Sequence, residues 1–507
     1  MSALLLLLPD VDIPLGGDHF VRLAGATNPI LALLVLLVTA RIFFPDERVR
    51  VLRGVDGLRN RLGAVARHIP ALLLTGYLIN SFYNWPGFLG GDGLCYYAYL
   101  RSAALQGDID FTDEFRDYSF GSHALPDPRE KTATGLVGSP YSIGPAILWA
   151  PFFAVGHGIA RLTGVTADGY SQPYVDAVIL GTEFYALIGI ALSIAIIRAI
   201  APRSSAMLAV IGLWIASPMT EYFRHEGSMS HAHSVFAVSL FPYLFVRAAG
   251  RRSPAGWLLL GAAGGLVFLV RWQDVTFCLL PLGDLFRGKK LRDAIADGYL
   301  YSAAFFLVAL PQFFVFKMLY GDWLVVPQGK EFIGVVPAYI WQVLFSSNHG
   351  LLSWHPLIAL CLAGLVLGVW QRAPHFRLLL VGFVLQLLVN ASIEQWWAGH
   401  AYGGRRFLGC FTLFAAGLAV LLQTRTLAGW RGITLVSAFA SLNYFLWHAW
   451  ADYLIPHEGT FTIHQVASAL LGAVVRFDAD PKALAMLAMV LFLVVSGNRD
   501  QIQRHYS

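Results

Sequence analysis

The stretch YSIGPAILWAPFFAVGHGIA, residues 141–160, decides how the rest of the chain is threaded. It is apolar enough to cross a hydrocarbon layer about 30 Å thick. Counting it as a crossing, however, inverts every later loop and sets the charge pattern against the rule that keeps Lys and Arg on the cytoplasmic side. Gly144-Pro145, Pro151 and Gly156 interrupt it, and an internal proline removes a helical hydrogen bond. The stretch is therefore expected to be a re-entrant or interface-lying pair of short helices, not a span.

Outward from it, membrane residence follows from composition. The 507 residues are 57% hydrophobic and 13% charged, with a mean hydropathy of +0.60; soluble chains carry about 25% charged residues. Apolar runs at 28–44, 69–84, 174–197, 204–221, 233–249, 256–270, 275–286, 297–320, 350–370, 376–393, 407–424, 432–455 and 482–497 read as spans. They lack two-residue alternation, and backbone in lipid must be satisfied within its own segment, so they read as helices. Of these, 275–286 is short and 28–44 also fits an interfacial helix. The expected fold class is an all-α polytopic membrane protein of about 11–13 transmembrane helices. It forms one transmembrane domain over 1–507, with a large first outer loop at 85–173 that holds juxtamembrane helices.

The connecting segments alternate in charge. Arg41 to Arg67, Arg198/Arg203, Arg247/Arg251/Arg252, Arg287 to Arg292, Arg372/Arg377, Arg425/Arg431 and Arg499/Arg504 form one set. It holds most of the 36 Lys+Arg and few of the 31 Asp+Glu, which places it in the cytoplasm. This asymmetry accounts for the formal charge of +5 and removes a nucleic-acid reading. Cys95, Cys278, Cys361 and Cys410 are scattered without a CxxC pair and read as unpaired residues, three of them in apolar runs. The start, MSALLLLLPDVD, lacks a basic region before its apolar run and breaks at Pro9, so it is not read as a cleaved signal.

The polar chemistry falls on the opposite face. In GGDGLCYYAYL (90–100), Asp92 sits in a glycine turn before a Tyr-rich helix. Asp is a favoured N-cap, so a helix cap competes with a reactive carboxylate, but the glycines allow close approach by a ligand. QGDIDFTDEF supplies Asp108 and Asp110 as metal or acceptor candidates, although a helical path would put Asp108 roughly 24 Å from Asp92. HEGSMSHAH (225–233) lacks the second His of an HExxH zinc site, and His231 and His233 point apart on a helix. It reads as a polar rim in which His225 or Glu226 touches substrate. Arg271, Lys330 and the end of WWAGHAYGGRRF (396–407), Arg405-Arg406, offer donors for phosphate oxygens. Trp396, Trp397, His400, Glu394, Tyr96 and Tyr97 complete a set suited to a sugar, with interfacial anchoring as the alternative for the aromatics.

Together Gly91-Asp92-Gly93 with Tyr96/Tyr97, then GDIDF, YSIGPAILWAPFF and WWAGHAYGGRRF, resemble the GT-C superfamily of membrane glycosyltransferases. That superfamily includes protein O-mannosyltransferases and the lipid A aminoarabinose transferase. The usual Asp-Glu pair is here Asp92-Gly93. The resemblance implies a transferase with Asp92 as general base and an inverting reaction. Its donor is a polyprenyl-phosphate sugar held through Arg405, Arg406, Lys330 and Arg271, and its acceptor is a glycan, lipid or protein. The Arg- and Ala-rich composition and the single membrane domain suggest a bacterial inner membrane with the site facing the periplasm; an endoplasmic reticulum protein would place the same loops in the lumen. No cofactor is required by these residues; a divalent cation, Mg or Mn, is the one candidate. The competing classes are a lipid-linked sugar flippase or other transporter, and an O-antigen-type polymerase or ligase.

Overall fold

Wherever the computed structural model describes the apolar runs, they fold largely as helices. It describes residues 11–14, 20–23, 89–118, 125–224, 226–247, 253–285 and 290–475. The expected spans at 28–44, 69–84 and 482–497 lie outside these residues. The chain divides into two compact units. One comprises Met1–Asn84 with Val475–Val495, the other Trp85–Val474 with Ser496–Ser507. In the first, β1 (Val11–Pro14) and β2 (Phe20–Leu23) form an antiparallel hairpin pairing Val11 with Leu23, a small departure from the all-α expectation.

The second unit begins with α1 (Asp92–Arg101), a π turn (Ser102–Gln106) and α2 (Thr112–Asp117). Then come α3 (Gly144–Thr163), α4 (Gln172–Ile197), α5 (Arg203–Ile215), α6 (Met219–Arg224), α7 (His231–Arg247) and α8 (Pro254–Val270). A 3-10 segment (Trp272–Leu279) leads to α9 (Leu282–Leu285) and α10 (Leu291–Tyr320). The remainder is α11 (Ile340–Phe345), α12 (Leu351–Trp354), α13 (Leu357–Trp370), α14 (Phe376–Ala391), a second 3-10 segment (Arg405–Cys410), α15 (Phe411–Leu421), α16 (Trp430–Ala451) and α17 (Ile463–Val475). Among the described residues, α3, α4 and α10 are long and apolar enough to cross a membrane.

Stretch 141–160 is not a pair of short helices. It forms one continuous helix of 20 residues, with Pro145 in the first turn and Pro151 inside. The first turn has no use for the missing N–H, and the loss at Pro151 is outweighed by a stripe of Trp149, Phe153, Gly156 and Ala160 buried at helical spacing. This helix accompanies only the first half of α4. Gly156 packs on Pro173 and Tyr174, Phe152 lies against Gly181 and Tyr185, and Trp149 donates to Thr182. Its N-terminus, Gly144, rests on Leu269 at the end of α8.

The short run 275–286 is also not a regular α-helix. Gly261 of α8 meets Tyr301 of α10, and Gly265 meets Phe305 and Val308. Residue numbers rise together, so α8 and α10 run parallel, and the segment between them must return the full distance. It does so partly as a 3-10 helix, whose rise of about 2.0 Å per residue outreaches the 1.5 Å of an α-helix. The expected span 350–370 is broken at His355-Pro356. Where α13 crosses α15, a Cβ on Gly364 would lie 2.0 Å from the Gly417 carbonyl oxygen, the small-residue contact by which membrane helices approach.

Helix α1 does not present its tyrosines to an interface. Every residue from Gly93 to Arg101 is buried, packed with Phe111, Trp149, Tyr174, Val315 and Leu319. All four cysteines are free and buried.

Candidate active site

Asp92 opens α1, but Gly91 (φ 51°) is the N-cap, and no side chain caps the helix. The Asp92 carboxylate is directed elsewhere. Its Oδ2 accepts from Arg405 at 3.2 Å, an ion pair joining residues 313 apart, with the two side chains 18% and 11% exposed. The pair forms because Gly93 lets α1 approach the 226–230 turn: a Cβ there would lie 1.9 Å from Ser228 Oγ. Gly93 is thus required by chain packing, and Gly91 by its left-handed backbone. Gly403 (φ 59°) is similarly backed by the His355 ring, which a Cβ would meet at 2.0 Å.

The turn after α6 is the floor of the site. Met229 Sδ accepts from Arg405 at 3.2 Å. Ser230 Oγ donates to the Tyr96 hydroxyl at 2.8 Å and accepts from Arg271 at 3.3 Å. Arg271, 7% exposed, also reaches His231 Nδ1 at 2.9 Å and lies 3.9 Å from Asp274. The Arg405 guanidinium sits 5.9 Å from the Tyr222 ring centroid, and the Tyr222 hydroxyl accepts from the Tyr402 backbone N–H. Tyr96 and Tyr141 are 4.7 Å apart. HEGSMSHAH, expected to be a polar rim, is therefore the hub that links α1, α8 and the Arg405–Cys410 segment. Ser228, Met229, Ser230, Tyr222 and Tyr141 were not singled out from the sequence; the small residues of GSMS were the one available sign of tight packing.

The charges are unbalanced in an informative way. Burial opposes the Arg405 charge, but Tyr222, Asp92, Tyr141 and Glu226 outweigh it and raise its pKa. Arg406 keeps some solvent contact. Even so, burial, followed by repulsion from Arg405 and Arg271, holds it down to about 9. Three guanidiniums thus lie within electrostatic reach of one another, Arg405 paired with Asp92 and Arg271 lying 3.9 Å from Asp274. Glu226, half-buried, is pushed up to about 7, first by burial and then by Asp92, against the opposing pull of Arg405. Glu221 of α6 is buried and accepts from Trp447 Nε1.

The remaining candidates are placed apart from this cluster or serve it indirectly. Tyr97 is fully enclosed and donates to the Gly169 carbonyl. Glu394 accepts from Tyr339 at 2.8 Å, and the rings of Trp396 and Trp397 meet edge to face at 5.8 Å. His400 lies 3.5 Å from Glu458. Lys330 is exposed, in a loop that continues to Phe332, whose ring lies 5.9 Å from the Arg406 guanidinium. His225 lies outside the described residues. Asp108 accepts from Ser102 Oγ and Asp110 from Thr112. Among the described residues no group of three or more His, Cys, Asp or Glu side chains could hold a metal ion.

No family model matches the sequence, and no curated protein matches it. Among solved structures the chain is similar to ArnT from Cupriavidus metallidurans in the apo state, with 13% sequence identity and a TM-score of 0.51 over 85% of this chain and 77% of that one. The structure of that ArnT bound to undecaprenyl phosphate matches at 14% identity and a TM-score of 0.49, over 86% and 76%. The likeness concerns the fold alone: the chain shares the helical architecture of that ArnT.

Proposed function

Starting from an ArnT-like fold in which Asp92 lies beside three arginines, we propose that the protein is a GT-C glycosyltransferase acting at the outer face of its membrane. It moves a sugar from a polyprenyl-phosphate donor to an acceptor hydroxyl on a glycan, lipid or protein. The observation that carries this reading is the convergence of Arg271, Arg405 and Arg406 beside Asp92. Guanidiniums crowded at one end of a helix bundle suit a polyanion, and Arg forks match phosphate oxygens. The apolar helix surfaces around it suit a prenyl tail.

In this mechanism Asp92 takes the acceptor's proton as its oxygen attacks the anomeric carbon opposite the departing phosphate, which inverts the centre. The arginines stabilise the charge that develops on the phosphate. Arg405 also orients Asp92, since one guanidinium can bond the carboxylate and still face the leaving group. The cell setting that fits best is a bacterial inner membrane with this face toward the periplasm.

Purified protein in nanodiscs, given a panel of polyprenyl-monophosphate sugars with acceptor extracts, should form a new covalent product visible by mass spectrometry. Asp92→Asn should lower turnover by roughly 10²–10⁴-fold while the protein folds normally. Full activity in that variant would remove Asp92 from the role of base, and labelled lipid that changes leaflet without a product would favour a flippase. Repeating the assay with EDTA tests for Mg or Mn.

A further inference from the structure

We infer that Glu226 is a second proton carrier of this site: it gives its proton to the phosphate oxygen that leaves the anomeric carbon, while Asp92 takes the proton of the acceptor hydroxyl. The inference rests on the transferase reading above and adds an acid to it.

The placement of Glu226 carries the argument. It is the first residue of the turn whose next members touch each part of the site: Ser228 faces Gly93 beside Asp92, Met229 accepts from Arg405, and Ser230 joins Tyr96 to Arg271. The turn is fixed at both ends, by Glu226 N–H to the Glu221 carbonyl and by Met229 N–H to the Glu226 carbonyl. Asp92 is ion-paired to Arg405, and Glu226 lies within electrostatic reach of the same guanidinium. Where two carboxyl groups occupy one site, their environments separate them into an acid and a base.

The groups that face Glu226 are Asp92 from α1, Arg405 from the 3-10 segment, and Glu221 and Tyr222 from α6. Burial and the negative Asp92 favour its neutral form; Arg405 opposes them without prevailing. A phosphate monoester has a second pKa near 6, so an acid titrating near 7 is matched to the leaving oxygen. In the step, the C1–O(phosphate) bond breaks and its electron pair stays on the phosphate oxygen, which receives the Glu226 proton. The acceptor oxygen bonds to C1, and its proton goes to Asp92. Passing that proton from Asp92 to Glu226 restores both groups for the next turnover.

The test measures kcat against pH for the wild type, Glu226→Gln and Glu226→Asp in nanodiscs, with a prenyl-monophosphate sugar as donor. A group that acts when protonated loses its effect as pH rises through its pKa, so wild-type kcat should fall above about pH 7. Glu226→Gln should lower kcat by about 10²-fold or more with donor KM little changed, and should lose the alkaline limb. Glu226→Asp should keep that limb and part of the rate. Wild-type kcat and an unchanged alkaline limb in Glu226→Gln would overturn this inference alone. Absence of sugar transfer by the wild type from any such donor would overturn the transferase reading and this step with it. An infrared titration serves where the Gln variant does not fold. In a Glu221→Gln background, a carboxyl that loses its proton near pH 7 is expected, and its absence overturns the assignment.

Discussion

At Asp92 two local preferences compete for one carboxylate, and tertiary contact decides between them. Asp suits a helix N-terminus, yet the cap is Gly91 and the carboxylate turns to Arg405. Gly93 makes this geometry, since any Cβ there collides with Ser228. Gly93→Ala should therefore push the 226–230 turn away from α1 and lower transfer activity at least tenfold. Adding Ser228→Gly, which vacates that space, should restore much of the rate. Equal activity in the single and double variants, read in the same mass-spectrometric assay, would contradict the packing role. The sequence made Arg271, Arg405 and Arg406 legible because basic groups are rare on that face, and Asp92 because glycines flank it. It left Ser228, Met229, Ser230 and Tyr222 obscure, because a small or aromatic residue gains its role only from what packs on it. Tyr97 shows the converse error, a tyrosine suited to a sugar but enclosed in the core.

Among the elements, hydropathy predicted positions well and shapes less well. Most described spans appear within a few residues of their expected limits, because burial periodicity dominates helix formation in an apolar medium. The misses occur where proline or 3-10 geometry intervenes. Pro151 was read as a break, but one lost hydrogen bond does not outweigh the stripe from Trp149 to Ala160. The run 275–286 looked too short because α-helical rise was assumed. Helix crossings depend on small residues that hydropathy scores ignore. Gly364→Val should overpack the α13–α15 crossing and cost about 1–3 kcal/mol, seen as a lower unfolding midpoint in detergent; an unchanged midpoint would mean the helices separate freely there.

Across the molecule, Asp92, the 226–230 turn, Arg271 and Arg405 meet at one end of the helices, as the alternation of loop charge requires. This gives a test of orientation. Because all four native cysteines are buried, a single exposed cysteine should be the only thiol to react in the folded protein. Lys330→Cys should be labelled in intact cells by a maleimide that cannot cross the inner membrane, and Arg431→Cys only after lysis. The opposite pattern would reverse the topology and move the site to the cytoplasm.

The 313 residues between Asp92 and Arg405 also set a timetable. At the usual pace of synthesis, about 5–20 residues per second, the carboxylate leaves the ribosome roughly 15–60 s before its guanidinium partner. By the end of that interval about four-fifths of the chain has been made without an Asp92–Arg405 pair. A nascent chain therefore lacks the Asp92–Arg405 pair, and the site is completed only when the arginine segment arrives.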